Sequence, residues 1–393
     1  MLTAQTKTGK QISLGNCYSK EALLSLRKSE EFICPVCGEN VSLKLGEQRI
    51  FHFAHKKGST CCEVYEAESI NHIEGKLQLY HWLCMQKIPC ILEFYDRKMQ
   101  QRPDIMFEHN GQRFALEFQC STLSEEIFWK RTKNYLEHHY TPLWIISSHH
   151  IHQKNRYIIP FSNFHYLFLR TGMAGQLYIP CYSTEKKAFQ LISSITPYSI
   201  KNAFAEQSFN SLDRLRLEDL LNPKPDAWKI NLLKWKEAAE NYQISWVLHA
   251  GAVKNPFLHE IYQRKLNLFL LPPEIGLPVP HAVYIQTPPV VWQTYLFLDC
   301  LADKNPGALI SYQDIHYQVQ KRISKKDITI RTFPLLETIN PMIPVIEYFR
   351  TLIELGVLIR KGDWLCEINR KIKIPQSNRE KDEAKSKFYQ NNK

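Results

Sequence analysis

The sequence lacks any long apolar run, and no stretch approaches the ~18 consecutive apolar residues of a membrane-spanning helix. Its first seven residues contain no apolar segment of the kind that a signal peptide needs, so we expect a cytoplasmic protein. Glycine and proline are few, at 14 and 21 of 393 residues, and apolar residues make up 44%. This composition is typical of globular proteins and excludes a mainly disordered chain. The length predicts two or three domains.

Acidic residues are fewer than basic ones. The chain has 50 Lys and Arg against 39 Asp and Glu, which gives a net charge of +11 at pH 7. The excess is uneven, because residues 1–199 carry 23 basic and 18 acidic residues and residues 370–393 carry 8 and 3. This balance favours an anionic partner such as DNA, although a solvated basic tail would account for much of it.

The 11 cysteines indicate metal binding rather than disulfide bonds, because a cytoplasmic protein keeps its thiols reduced. Two residues separate Cys34 from Cys37, and His52, His55 and Cys61 follow. Zn²⁺ prefers thiolate and imidazole ligands, and a structural site has four. We expect Cys34, Cys37, His52 and His55 to bind structural zinc, with Cys61 competing for one position. The alternative is a set of ordinary buried thiols and histidines.

The hydrophobic pattern divides the chain into four parts. Residues 1–62 predict a small β-rich module, residues 63–195 an α/β unit with a mixed sheet, residues 196–369 a mainly helical domain, and residues 370–393 a flexible basic tail. The α/β unit is expected to run helix, strand, hairpin, helix, strand. Its hairpin is predicted from Asn110-Gly111, the strongest short signal for a tight turn.

The two expected helices of the α/β unit carry most of its candidate polar side chains. The first is predicted over residues 63–87, with a buried stripe at Ile70, Ile73, Leu77, Tyr80 and Cys84. The second is predicted to begin near Thr122, because Thr122 and Glu125 fit a capping box.

Carboxylates lie at both ends of the predicted hairpin. Asp104 begins one strand, and Glu117 and Gln119 end the other. Residues two apart on a strand point to the same face, so Glu117 and Gln119 are expected together, with Asp104 approaching from the neighbouring strand. Paired carboxylates suit Mg²⁺ or Mn²⁺, which can activate water for attack on a phosphodiester. The alternative is two scattered surface carboxylates.

Residues spaced by four on the first helix could complete such a site. Glu68, His72 and Lys76 fall on one helical face, where they could meet a metal ion or a phosphate. A solvated face with i,i+4 pairs is the alternative. The second helix carries Lys130, Arg131 and Lys133, which could bind a DNA backbone or simply face water.

Together these motifs resemble the competence protein CoiA family of bacteria that take up DNA. The resemblance rests on the Cys/His module, the Glu68–Lys76 helix, Arg102-Pro103-Asp104, Leu116 to Ser121, and the Arg131/Tyr135 pair. It is most specific over residues 15–150. It implies a PD-(D/E)xK nuclease-like fold: a zinc-ribbon-like N-terminal module, a restriction-endonuclease-like mixed sheet flanked by helices, and a mainly helical C-terminal region.

The resemblance also implies roles for individual residues. Asp104 and Glu117 would hold catalytic Mg²⁺ or Mn²⁺, and Glu68 would be the carboxylate of the first helix. Gln119 stands where the superfamily usually has lysine, and an amide cannot supply a positive charge. Lys76 or Arg131 could supply that charge instead.

Two functions follow from the resemblance, and a third needs neither carboxylates nor DNA. The first is a divalent-metal-dependent deoxyribonuclease that processes incoming single-stranded DNA during natural transformation and recombination. The second is a non-catalytic DNA-binding accessory that recruits a recombinase or helicase, which Gln119 favours. The third is a structural zinc protein with a protein ligand.

Overall fold

The computed structural model describes residues 1–46, 50–59, 61, 69–172, 174–224, 229–249, 254–337 and 339–391. The N-terminal part forms a five-stranded antiparallel sheet in the order β2-β1-β3-β4-β5. Its elements are β1 (Thr3–Thr6), β2 (Gln11–Ser13), α1 (Lys20–Ser29), β3 (Phe32–Ile33), β4 (Asn40–Lys44) and β5 (His52–His55). The β-rich module is confirmed. Helix α1 was not predicted, and Ser19 caps it by accepting a hydrogen bond from the N–H of Ala22.

A mixed nine-stranded sheet forms the centre of the protein, in the order β10-β14-β13-β12-β9-β8-β7-β6 with β11 paired to β12. The strands are β6 (Cys90–Leu92), β7 (Ile105–His109), β8 (Gln112–Gln119), β9 (Thr141–Ser147), β10 (Ile158–Pro160), β11 (Arg170–Thr171), β12 (Leu177–Ser183), β13 (Ala188–Pro197) and β14 (Asn202–Ser211). Strand β9 is parallel to both β8 and β12, and the other pairings are antiparallel. The predicted boundary at residue 195 falls inside β13, so the sheet continues past it.

Helices cover both faces of the central sheet. Helix α2 (Ile70–Met85) packs on the face that carries Leu116 and Phe118, and α3 (Glu125–Glu137) packs on the face that carries Ala115 and Trp144. A short helix α4 (Asn163–Tyr166) lies between β10 and β11. The restriction-endonuclease-like mixed sheet flanked by helices is therefore confirmed.

Two local predictions for these helices were wrong. The buried side of α2 is formed by Ile73, Gly75, Lys76, Leu79, Trp82 and Leu83, whereas Ile70 is 50% exposed. Apolar spacing alone does not predict that a lysine, here Lys76, lies on the buried side. Helix α3 is capped by Ser124, whose side chain accepts a hydrogen bond from the N–H of Ile127, and not by Thr122.

The C-terminal region is mainly helical, as expected. It contains α5 (Leu217–Leu221), α6 (Leu232–Val247), α7 (Pro256–Gln263), α8 (Pro289–Leu296), α9 (Tyr312–Ser324) and α10 (Met342–Glu354). It also holds a small antiparallel sheet that the sequence did not predict, in the order β15 (Leu309–Ser311), β17 (Leu365–Ile368), β16 (Leu358–Gly362). Among the helices of the described ranges, none is long and apolar enough to cross a bilayer.

The basic tail contains a helix that its polarity does not predict. Asn378–Asn391 form helix α11, and the Lys385 Nζ lies 2.6 Å from the Glu240 Oε1 on α6. Lys385 and Tyr389 are each only 9% exposed. The tail therefore docks on the helical region through a few long side chains, which an apolar-periodicity criterion does not detect.

Candidate functional site

A cysteine and histidine cluster lies at one side of the N-terminal sheet. The donor atoms of Cys34, Cys37, His55 and Cys61 all lie within 4.8 Å of one another. The turn that presents the first two cysteines is closed by a hydrogen bond from the N–H of Gly38 to the carbonyl of Cys34, at 2.9 Å. Gly38 has φ +74°, a conformation that costs glycine little. Three sulfurs and one imidazole are a donor set that fits structural zinc.

His52, which the sequence predicts as a zinc ligand, is not part of this cluster. His52 and His55 are three apart on β5, so strand alternation places them on opposite faces. His52 Nδ1 instead lies 2.9 Å from the carbonyl oxygen of Ile50. Cys61, the predicted competitor, occupies the fourth position.

Asp104 and Glu117 converge because of the hairpin between β7 and β8. Asn110 (φ +51°) and Gly111 (φ +74°) form its two-residue turn. Ile105 pairs with Leu116, and continuing that register by one residue sets Asp104 opposite Glu117. Both carboxylates are buried, at 8% and 3% exposure.

Asp104 is surrounded by donors from the α2 side. Its Oδ2 accepts hydrogen bonds from the backbone N–H of Phe118 at 2.9 Å and from His72 Nε2 at 3.1 Å, and its Oδ1 lies 3.6 Å from Lys76 Nζ. Burial opposes ionisation of this carboxyl. The charges of His72 and Lys76 and the two hydrogen bonds outweigh that effect and hold the pKa of Asp104 well below its ordinary value.

Glu117 faces the other helix. Its Oε1 accepts hydrogen bonds from Arg131 Nη2 and from the hydroxyl of Tyr135, both on α3. Burial, reinforced by the nearby negative charge of Asp104, raises the pKa of Glu117 to about 7 in spite of these two donors. Adjacent carboxylates thus have pKa values that are pushed apart, a pattern found at catalytic sites.

The remaining predicted residues divide between the cluster and the surface. Gln119 does not contact the carboxylates: its Nε2 donates to the carbonyl of Ser121 at 2.9 Å. Lys130 and Lys133 are exposed on α3, and the Lys133 Nζ lies 3.6 Å from the Glu137 Oε1. Glu68 lies outside the described residues.

Lys76 is fully buried, which excludes the solvated-face interpretation for this residue. Its ammonium lies 2.5 Å from Glu93 Oε1 as well as near Asp104. Glu93 was not singled out from the sequence. The sequence feature that points to Glu93 is its position as a lone carboxylate directly after the apolar strand Cys90–Leu92.

The carboxylate cluster, which consists of Asp104 and Glu117 with His72, Lys76 and Arg131, could hold a divalent ion. Carboxylate oxygens are the ligands that Mg²⁺ and Mn²⁺ prefer. The repulsion by which Asp104 raises the pKa of Glu117 is one that a bound cation would relieve. Lys76 and Arg131 bring to these carboxylates the positive charge that Gln119 cannot supply.

Comparison with known proteins identifies the family of this chain. Models of the competence protein CoiA family match an N-terminal domain over residues 15–63, a nuclease-like domain over residues 68–225 and a C-terminal domain over residues 227–381. Competence protein CoiA of Bacillus subtilis (strain 168) is 31% identical over 308 residues, which cover 78% of this chain and 81% of that protein. No solved structure matches the chain. The matches span all three regions of the fold, and the chain belongs to the competence protein CoiA family.

Proposed function

We propose that this protein is a Mg²⁺- or Mn²⁺-dependent deoxyribonuclease that processes incoming single-stranded DNA during natural transformation and recombination. The observation that carries the proposal is the convergence of two buried carboxylates, Asp104 and Glu117, at one end of a nuclease-like sheet. A zinc ion held by the cysteine and histidine cluster would have a structural role.

In this proposal each residue has a distinct task. Asp104 and Glu117 would hold the divalent ion, which when bound supplies an activated water and offsets charge on the phosphate. Lys76 and Arg131 would offset the negative charge that develops on the phosphate oxygens. His72, whose side chain is 22% exposed, can exchange a proton with solvent or with the leaving oxygen.

The test is cleavage of single- and double-stranded DNA by the wild type and by Asp104→Asn/Glu117→Gln, with Mg²⁺ and Mn²⁺ compared. These substitutions keep shape and remove charge, so we expect cleavage to fall by about 10³-fold or more with the fold retained. Glu108→Gln is the matched control, because Glu108 lies on β7 with an exposed side chain. Equal cleavage by the double variant and the control variant would refute the assignment.

A second function, a non-catalytic DNA-binding accessory that recruits a recombinase or helicase, is favoured by the partners of Gln119 and Glu117. Gln119 bonds to Ser121 and brings no cation to the carboxylates, and Glu117 is already engaged by Arg131. This function predicts salt-dependent binding of single-stranded DNA without cleavage by any divalent ion. It also predicts that the Asp104/Glu117 double variant restores transformation in a deletion strain.

A further inference from the structure

Glu93 is a buried carboxylate between the N-terminal sheet and the carboxylate cluster. It follows β6, is 1% exposed, and has φ +49°, a left-handed conformation that non-glycine residues adopt at a cost. A buried charge in a strained backbone position persists only when its surroundings hold it there. Its contacts come from two sides.

On one side, Leu2 and Thr3, at the start of strand β1, bind the Glu93 carboxylate. Oε2 accepts hydrogen bonds from the backbone N–H of Leu2 at 2.7 Å, from the backbone N–H of Thr3 at 3.0 Å and from the Thr3 hydroxyl at 3.2 Å. These donors lie 90 and 91 residues away in the sequence. The N-terminal sheet therefore fixes the orientation of this side chain.

On the other side, Glu93 holds Lys76. Lys76 Nζ is 2.5 Å from Glu93 Oε1 but 3.6 Å from Asp104 Oδ1, so Glu93 is the closer of these two carboxylates. The backbone N–H of Glu93 also donates to the carbonyl of Asp104 at 2.9 Å. If the Glu93 charge were absent, the buried ammonium would turn to Asp104 as its counter-ion.

We propose that Glu93 is a positioning residue of the carboxylate cluster: it keeps the Lys76 ammonium from fully pairing with Asp104, and so leaves Asp104 able to bind a divalent ion. This inference rests on the proposed metal-binding function. It makes strand β1 part of the site, because the orientation of Glu93 depends on it.

The test is a double-mutant cycle read by Mn²⁺ titration of the full chain. In Glu93→Gln, Lys76 competes with the ion for Asp104, so we expect the Mn²⁺ dissociation constant to rise about tenfold. Adding Lys76→Met to that variant removes the competitor and should return the constant to near the wild-type value. If Glu93 had only a structural role, adding Lys76→Met would not restore Mn²⁺ binding.

Controls separate this inference from the proposed function. Asp104→Asn should abolish the titration, and Glu108→Gln should leave it unchanged. Unchanged Mn²⁺ binding in Glu93→Gln, or a loss that Lys76→Met does not rescue, overturns the inference and leaves the proposed function standing. A wild type that binds no more Mn²⁺ than Asp104→Asn overturns both. If Glu93→Gln fails to fold, Thr3→Val removes one donor to Glu93 and should weaken Mn²⁺ binding in the same direction by a smaller factor.

Discussion

The cysteine and histidine cluster and the carboxylate cluster differ in how their donors are assembled and neutralised. The cysteine and histidine cluster takes all four donors from residues 34–61 and one small sheet. The carboxylate cluster takes its side chains from α2, β8, α3 and the residue before β7, and each of its carboxylates already contacts a cationic side chain. The first cluster has the four donors of a complete tetrahedral site, whereas in the second the negative charges of the carboxylates are offset by Lys76 and Arg131.

Because of this difference, a metal ion is expected to affect folding at the first cluster and activity at the second. Thiolates gathered within a few ångströms repel one another unless a metal ion is bound, so an ion there supplies folding free energy. Asp104 and Glu117 are buried beside Lys76 and Arg131, so the fold does not need a metal ion to tolerate them. A divalent ion at the carboxylates is therefore expected to matter for chemistry more than for folding.

The largest expected effect is the loss of zinc from the N-terminal module. Cys37→Ser or Cys61→Ser should release the metal and unfold β4 and β5, because structural zinc contributes on the order of 10 kcal/mol to small domains. Zinc content and hydrogen exchange across β4 and β5 are the measurements. His52→Ala is the control, and it should retain a full equivalent of zinc. Zinc loss in His52→Ala but not in Cys61→Ser would reverse the ligand assignment.

A smaller effect concerns the charge balance at Glu117. Its pKa in the folded protein is about 7 against an ordinary 4.5, so the folded state binds this proton more tightly than the unfolded state does. Protonation of Glu117 therefore adds about 3 kcal/mol to the free energy of unfolding below pH 4.5, and this stabilisation is lost as pH rises through 7. Urea unfolding in buffer free of divalent ions, from pH 5 to 8, should show this fall for wild type relative to Glu117→Gln. A constant difference between the two proteins would mean that Arg131 fully neutralises Glu117.

The smallest effect is expected at the exposed face of α3. Lys130→Ala and Lys133→Ala should each weaken binding of single-stranded DNA slightly. Each should also reduce the slope of log affinity against log salt concentration by about 0.7 for every phosphate that the variant no longer binds. Affinity measured at several salt concentrations tests this, with the exposed Lys265→Ala as the control. If neither variant changes the salt slope, DNA does not bind this face of α3.

Short-range patterns in the sequence were sufficient for much of the fold and part of the site. The Asn110-Gly111 turn and the last strand of the α/β unit, observed as Thr141–Ser147, are correctly predicted because each depends on neighbouring residues only. Strand alternation also sets His52 and His55 on opposite faces, which is enough to predict that only one of them joins the cysteines.

Short-range sequence patterns do not predict contacts between residues that are far apart in the chain. The burial of Lys76 depends on Glu93 and Asp104, which lie 17 and 28 residues away, and the orientation of Glu93 depends on Leu2 and Thr3. A pattern of apolar spacing treats a lysine as a surface residue, because its burial is tolerable only when a partner is present. The same reasoning explains why the docked helix α11 was predicted to be a loose tail.

The two-residue turn at Asn110-Gly111 sets the length of the hairpin and hence which residue faces Asp104. Inserting one residue there would shift the pairing of β7 and β8 and bring Leu116 or Phe118 opposite Asp104, while moving Glu117 out of alignment. Both turn residues have positive φ, which favours Asn and Gly, and few loop lengths would keep the two carboxylates together. The length of the turn therefore sets the alignment of the site, and length changes there are expected to separate Asp104 from Glu117.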